Sequence, residues 1–163
     1  RYLVGGREGE RLIGLDVSTP LGDTPTSKQF LAIARAVTRL PNTRVLIFFN
    51  YGERKEANQL KESLGPKALM FQNEDLPRLV VLLDACEEII AGNTDIFHLA
   101  VSMGRPVRGV FSKDQMPRWA PPKETVGAKI LNLEPLKRLS VSEISKLFQE
   151  NPIVNKKHME IAV

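Results

Sequence analysis

The stretch IIAGNTDIFHLAVSMGRPV, Ile89 to Val107, decides how the rest of the chain is read. It joins an apolar run to a polar elbow, then a helix-spaced pattern holding a histidine, then Gly-x-Pro and a second apolar run. The first run, Glu88–Ala91, is β-branched and too short for a helix, so it predicts a strand. Asn93, Thr94 or Asp95 can each cap the helix that follows, and Gly104 stops it. His98, one of only two histidines in the chain, falls just inside that helix. Either the elbow cradles something anionic on the amides of a helix start, or it is a turn whose polar residues only cap. The plainer alternative for a lone histidine is a half-buried ring satisfied by a polar neighbour.

Working outward, the same alternation recurs along the chain. Leu12–Val17, Arg44–Phe49, Ala68–Phe71, Glu88–Ala91 and Val107–Phe111 predict strands, with Lys129–Leu133 as a sixth. Ser27–Leu40, Gly52–Leu64, Leu76–Cys86, Asp95–Met103 and Val141–Glu150 predict helices, the last behind Ser140 and Glu143 spaced as a capping box. A Pro-rich loop over 112–127 carries the only tryptophan. Short strands that are apolar throughout, separated by helices, imply a parallel sheet covered on both faces. The expected fold class is α/β, a doubly wound, Rossmann-like domain of about six strands over residues 11–150. Residues 1–10 are expected to be a linker and residues 151–163 a tail.

The bulk numbers fit one such domain. The chain has 163 residues, 42% hydrophobic and 26% charged, which allows one proper core and not two. The net charge of +4 comes from scattered Lys and Arg, giving little support to nucleic-acid binding. The single cysteine, Cys86, cannot form an internal disulfide and suits a reducing compartment. It ends an apolar helix pattern, as a small core residue does. No apolar run approaches membrane-spanning length, and a start at Arg1 rather than Met fits a segment of a longer protein or equally a processed or trimmed start. Two distant histidines, one cysteine and scattered acids make no metal-ligand cluster.

In a doubly wound sheet, ligands bind beyond the carboxyl ends of the strands. Four loops meet that condition: Ser18–Thr26, Asn50–Glu53, Gln72–Asp75 and Gly92–Asp95. The first is hydroxyl-rich and contains glycine, as a phosphate cradle requires. Its spacing matches neither the Gly-x-Gly-x-x-Gly nor the P-loop pattern, and ordinary loop chemistry explains it nearly as well.

The segment Asn93-Thr94-Asp95-Ile96-Phe97-His98-Leu99-Ala100, then Gly104-Arg105-Pro106, then PVRGVFSKDQMPRWAPP resembles glycosyltransferase family 9, the ADP-heptose heptosyltransferases of lipopolysaccharide synthesis. Their signature near the end of the second domain is Asp-(Thr/Ser)-Gly-x-x-His-x-Ala, a small helix, Gly-x-Pro, a strand and a Gly/Pro/Trp loop. DLPRLVVLLDACEEIIAG and NYGERKEANQL are similar to other segments of the family, and the likeness runs from about Leu12 to Pro122. The resemblance implies the donor half of a GT-B enzyme, in which two Rossmann-like domains face across a cleft. It implies sugar transfer from an ADP-linked nucleotide diphosphosugar to a lipopolysaccharide core or similar glycan, with no cofactor. Thr94 and His98 are then expected beside the donor diphosphate, Glu53 towards the ribose, and Ser18 and Thr19 near phosphate. For Glu53, the alternative is an acid favoured at a helix start by the dipole.

Three departures from the family pattern accompany the likeness. Asn93 stands where the family has Asp, and Asp95 where it has Gly. A carboxylate at that second place opposes a phosphate by about 3 kcal/mol per charge pair at ~5 Å and an effective dielectric of ~20. The Lys-x-Trp-Pro stretch is missing, with only Lys28 nearby. The resemblance also implies an acceptor-binding N-terminal domain outside this chain, so that the chain alone binds donor and does not transfer sugar. It further implies a cytoplasmic protein, at most peripheral at the inner membrane surface through a glycolipid acceptor. Two alternatives stay open: a GT-B-like binding or interaction domain that has lost the chemistry, and a nucleotide-sugar epimerase-like domain.

Overall fold

The computed structural model describes residues 9–18, 27–123, 125 and 127–150. Six parallel strands form one sheet: β1 (Arg11–Asp16), β2 (Thr43–Phe49), β3 (Ala68–Gln72), β4 (Glu88–Ala91), β5 (Val107–Phe111) and β6 (Ala128–Asn132). Their order across the sheet is β3-β2-β1-β4-β5-β6. The helices are α1 (Ser27–Val37), α2 (Arg54–Leu64), α3 (Leu76–Ala85), α4 (Asp95–Ser102), α5 (Met116–Trp119), α6 (Leu133–Leu136) and α7 (Val141–Glu150). The chain winds outward from β1 through β2 to β3, then returns to lay β4 on the other side of β1. Loops leaving β1 and β4 therefore diverge, and a crevice opens between them.

Strand residues alternate between two cores. Val45, Ile47 and Phe49 join a cluster with Phe30, Ile33 and Val37 of α1, Ala57 and Leu60 of α2, and Ile144 and Phe148 of α7. Leu46 and Phe48 point the other way, into a cluster with Leu79, Leu82 and Leu83 of α3 and Ile96, Phe97 and Ala100 of α4. Burial on both faces is why the strands read as unbroken apolar runs rather than alternating ones. Cys86 lies in the second cluster, fully buried, with its thiol pushed up to about 12 by desolvation. It is a core residue, as its helix pattern implied.

Two glycines set how closely α3 and α4 approach the sheet. A Cβ on Gly14 would stand 2.9 Å from the Phe48 ring and 3.2 Å from the Cys86 sulfur. A Cβ on Gly109 would meet the Phe97 ring and Ile130 Cδ1, each at 2.7 Å. Phe97, in turn, packs edge-on against Phe111 with centroids 4.8 Å apart.

Most elements match the sequence expectation to within a residue or two. The helix expected to reach Leu40 stops at Val37, where the Thr38 hydroxyl turns back to Arg35 O and Lys67 Nζ donates to Thr38 O. The Pro-rich loop contains α5, and the residues just after β6 coil into α6 behind an Asn132 cap. The capping box at α7 is present in both halves, Glu143 to the Ser140 amide and Ser140 to the Glu143 amide. Arg108, inside an apolar-looking strand, is completely buried. It pairs with Glu88 at 2.5 Å and lies 4.3 Å from the Phe148 ring centroid, so α7 roofs a charge. Residues 1–8 of the expected linker and the whole of the expected tail lie outside the described residues.

Gly109→Ala should destabilise the domain by about 1–3 kcal/mol, because the aromatic stack beneath it has no room to yield. Chemical denaturation read by fluorescence or circular dichroism checks this. A change under about 0.5 kcal/mol would show that α4 does not sit as close to the sheet as described.

Candidate functional site

All four loops singled out from the sequence reach one cavity of about 650 Å³ beyond the carboxyl ends of the strands, at the β1/β4 switch point. Ser18 comes from the first, Asn50 from the second and Asn73 from the third. Asn93, Thr94 and Asp95 come from the fourth. The Asn73 side-chain amide ties the first three together, donating to Ser18 Oγ at 3.2 Å and to Asn50 Oδ1 at 3.3 Å. Beyond Ser18 the first loop, Thr19 included, lies outside the described residues.

Thr94 is the cap of α4. Its Oγ accepts from the Phe97 amide at 3.3 Å, while the Asp95 and Ile96 amides, at the head of the helix, have no partner within it. His98 is exposed rather than half-buried, and it lines the cavity one turn in. Its Nε2 lies 2.9 Å from Asn93 Oδ1, a contact that fixes the ring's tilt. The ring stands edge-on to Phe97 on one side and to Trp119 on the other, with centroids 5.2 and 6.1 Å away. Trp119, 52% exposed, and Leu76, 62% exposed, are two apolar contributors to the cavity lining. Glu53 is turned back, its carboxylate accepting from the Asn50 amide at 3.2 Å, which is the helix-start role open to it from the sequence. Lys28, in the first turn of α1, is exposed and is not among the residues lining the cavity.

Sequence reasoning missed Asp16. It ends β1 at the switch point, completely buried, and its Oδ2 accepts the Thr94 hydroxyl at 2.5 Å while Oδ1 accepts the Ser18 amide at 3.0 Å. Desolvation pushes its pKa up to about 6; the bonds from Ser18 and Thr94 oppose that rise, and the Glu53 charge adds to it. The signal was present as the one acid inside the LIGLDV run, at the strand end where a doubly wound sheet places its ligands. Asn50 and Asn73 were within the marked loops but carried no pattern of their own. Among the described residues there is no cluster of three metal-ligating side chains, and no helix is long and apolar enough to cross a membrane.

Chemically, the cavity offers helix-start amides, an imidazole, side-chain amides, apolar surface from Leu76, Leu79 and Trp119, and one carboxylate, Asp95. That set suits a ligand with an anionic, oxygen-rich part and a flat or apolar part.

A family model, glycosyltransferase family 9 (heptosyltransferase), matches residues 28–148. No curated protein sequence matches the chain. Among solved structures, the chain is similar to the E. coli ADP-heptose lipopolysaccharide heptosyltransferase II at 15% identity and a TM-score of 0.72, over 91% of this chain and 48% of that one. It is similar to the E. coli heptosyltransferase WaaC with ADP at 14% identity and a TM-score of 0.69, over 91% and 47%. A glycosyl transferase family 9 protein of Veillonella parvula matches at 17% identity and a TM-score of 0.63, over 94% and 43%. The chain thus spans about half the length of these structures.

Asp16 makes stability depend on pH in a stated direction. Its folded pKa, about 6, lies above the ordinary 3.8, so the folded state holds the proton more tightly. Its contribution is most favourable below pH 3.8 and is lost as pH rises through 6, a swing of about 3 kcal/mol. Asp16→Asn should therefore gain stability relative to the parent chain as pH goes from 4 to 8, by up to that amount. Denaturant melts of both proteins at the two pH values measure it; a difference independent of pH would remove the buried ionised carboxylate from the account.

Proposed function

The chain belongs to glycosyltransferase family 9, and from that premise we propose that the switch-point cavity seats the diphosphate of a nucleotide diphosphosugar donor. The observation that carries this is His98, exposed at the mouth of the crevice above the start of α4 and braced by Asn93. In sugar transfer, the bond between the anomeric carbon and the β-phosphate oxygen breaks and the diphosphate leaves with the extra negative charge. Groups that bind that charge more strongly as it develops lower the barrier. On this reading the Asp95 and Ile96 amides and the His98 ring do so, with Thr94 holding the helix start in place. Ser18 and Thr19 are proposed to stand near phosphate, and Glu53 to serve the ribose side through the loop it stiffens. The apolar side chains of Leu76 and Trp119 in the lining are available to a flat or apolar portion of the donor.

The donor is proposed to be of the ADP-heptose type and the acceptor a lipopolysaccharide core or similar glycan. Since the chain spans about half of its solved relatives, the acceptor and the general base are assigned to an N-terminal domain beyond this segment. This chain alone then binds donor without transferring sugar. The same reading places the enzyme in the cytoplasm, peripheral at most to a membrane holding a glycolipid acceptor. No cofactor enters this account.

One observation favours a second reading, a binding domain that has kept the fold without the chemistry: the only charged side chain among the described residues lining the cavity is the carboxylate of Asp95. Isothermal titration of the 163-residue chain with ADP, ADP-heptose and UDP sugars separates the two. The donor reading expects binding at millimolar affinity or tighter, weakened about 10- to 100-fold by His98→Ala, as befits loss of a hydrogen bond to a charged group. Asp95→Gly should tighten it at least tenfold by removing a like charge (about 3 kcal/mol at ~5 Å). Failure of every nucleotide to bind, with Asp95→Gly giving no rescue, leaves the binding-domain reading. Preference for UDP sugars transfers the assignment to a different donor class.

A further inference from the structure

We propose that Asp16 decides whether Thr94 can donate a hydrogen bond into the cavity, so that an anionic diphosphate is bound together with one proton. This rests on the donor reading above and goes beyond it, because Asp16 reaches the ligand only through Thr94. It is a positioning residue.

Thr94 Oγ has one hydrogen and two lone pairs. With Asp16 ionised, the hydrogen is committed to Asp16 Oδ2 at 2.5 Å, and one lone pair takes the Phe97 amide at 3.3 Å. What remains towards the cavity is a lone pair, which repels a phosphate oxygen. With Asp16 protonated, the carboxylic acid becomes the donor to Thr94 Oγ and the Phe97 amide keeps its place. The threonine hydrogen is then released to turn towards the ligand. All three positions on Oγ are filled, and the Ser18 amide still reaches Oδ1. An anion that takes the Thr94 hydrogen therefore favours the protonated acid, and by linkage protonation favours the anion.

Burial makes this exchange accessible near neutrality. Asp16 is completely enclosed at the floor of the crevice, where desolvation has raised it to about 6. Among the described residues, the charged and titratable groups around it add no compensating cation. Glu53, from the turn after β2, raises it further. On α4, Asp95 and His98 line the same cavity, and on α1 Lys28 and Arg35 are exposed. The facing strand residue is Phe48 of β2, and β4 presents Ala91. A diphosphate entering above adds negative charge and drives the carboxylate towards its neutral form.

The test is isothermal titration of the chain with ADP-heptose and UDP-glucose, each esterified at both ends of its diphosphate and so constant in charge, from pH 5 to pH 8. Affinity is expected to fall about tenfold per pH unit above 6. Uptake should approach one proton per ligand at pH 8, read from two buffers of different ionisation enthalpy. Asp16→Asn, whose side-chain amide donates permanently to Thr94, should remove that slope and bind at pH 8 at least tenfold more tightly than the parent chain. His98→Gln, which takes away the other titratable ring, should weaken binding and keep the slope. A ¹³C titration of the Asp16 carboxyl in the unaltered chain gives the same information without a variant: its midpoint should rise when ligand is added. Binding whose pH dependence survives Asp16→Asn, or a midpoint that does not move, would overturn the proposal and leave the donor site standing. No binding by the parent chain or Asp16→Asn at any pH would remove the donor site itself, and the proposal with it.

Discussion

The hydrogen bond from Thr94 to Asp16 crosses the point where the winding of the sheet reverses, and the cavity depends on it. β1 and β4 are neighbours in the sheet but lie seventy-odd residues apart in the chain (16 against 94). Their following loops depart to opposite faces. Nothing in the backbone ladder holds the start of α4 against the end of β1, because pairing between these strands ends with Leu15 opposite Ile90. A 2.5 Å contact between a buried carboxylate and a capping hydroxyl closes that gap. The carboxylate loses hydration by being there. It is held by donors from both sides of the crevice, Ser18 on one and Thr94 on the other.

Packing on the α3/α4 face supplies the depth of the site. Gly14 and Gly109 remove the two side chains that would lift those helices from the sheet, and Phe97 fills the space released above Gly109. Because Phe97 and His98 are consecutive on α4, anchoring one sends the other out over the crevice, roughly 100° further round the helix. Arg105 secures the far end: it donates to Cys86 O at 2.6 Å and pairs with Asp84 at 3.2 Å, placing a cation at the C-terminus of α3, where the dipole favours it. Gly104 at φ 64° allows the chain to turn there at no steric cost. The Gly-x-Pro that ends the opening stretch of sequence is therefore a strut. On the opposite face, the Arg108–Glu88 pair under Phe148 specifies where α7 lies.

The fold was legible because the central strands β1, β2, β4 and β5 are buried on both faces, so their hydrophobic runs marked them, while the edge strands β3 and β6 are only half-buried. The four cavity loops were legible because strand ends in a doubly wound sheet are ligand sites by topology. What escaped was anything whose meaning depends on a distant partner. Asp16 takes its meaning from Thr94, 78 residues away, whose hydroxyl donates to it. Arg108 lies in a strand whose sequence does not show the Glu88 carboxylate and Phe148 ring that bury it. Asn73 carries no local pattern, and its role comes from Ser18 and Asn50, 55 and 23 residues away. Trp119 sits in a four-residue helix too short to show a period. His98 went the other way: a lone histidine favoured a half-buried ring, and the exposed position follows only once Phe97 takes the core.

The charge inventory of the cavity limits how a donor can be held. A nucleotide diphosphosugar brings two negative charges. The described lining answers with the start of one helix, worth about half a positive charge, and one imidazole, against the carboxylate of Asp95. Asp16 and Glu53 lie close enough to each other for Glu53 to raise Asp16, so the ground beneath the site is already negative. A proton taken up at Asp16 removes one of these charges and turns a repelling oxygen into a donor. On the donor reading, the charge that remains falls to groups outside the described lining. On that reading, this lining by itself holds a diphosphate weakly. Its salt dependence should stay modest, since amides and an imidazole, rather than exposed cations, face the ligand.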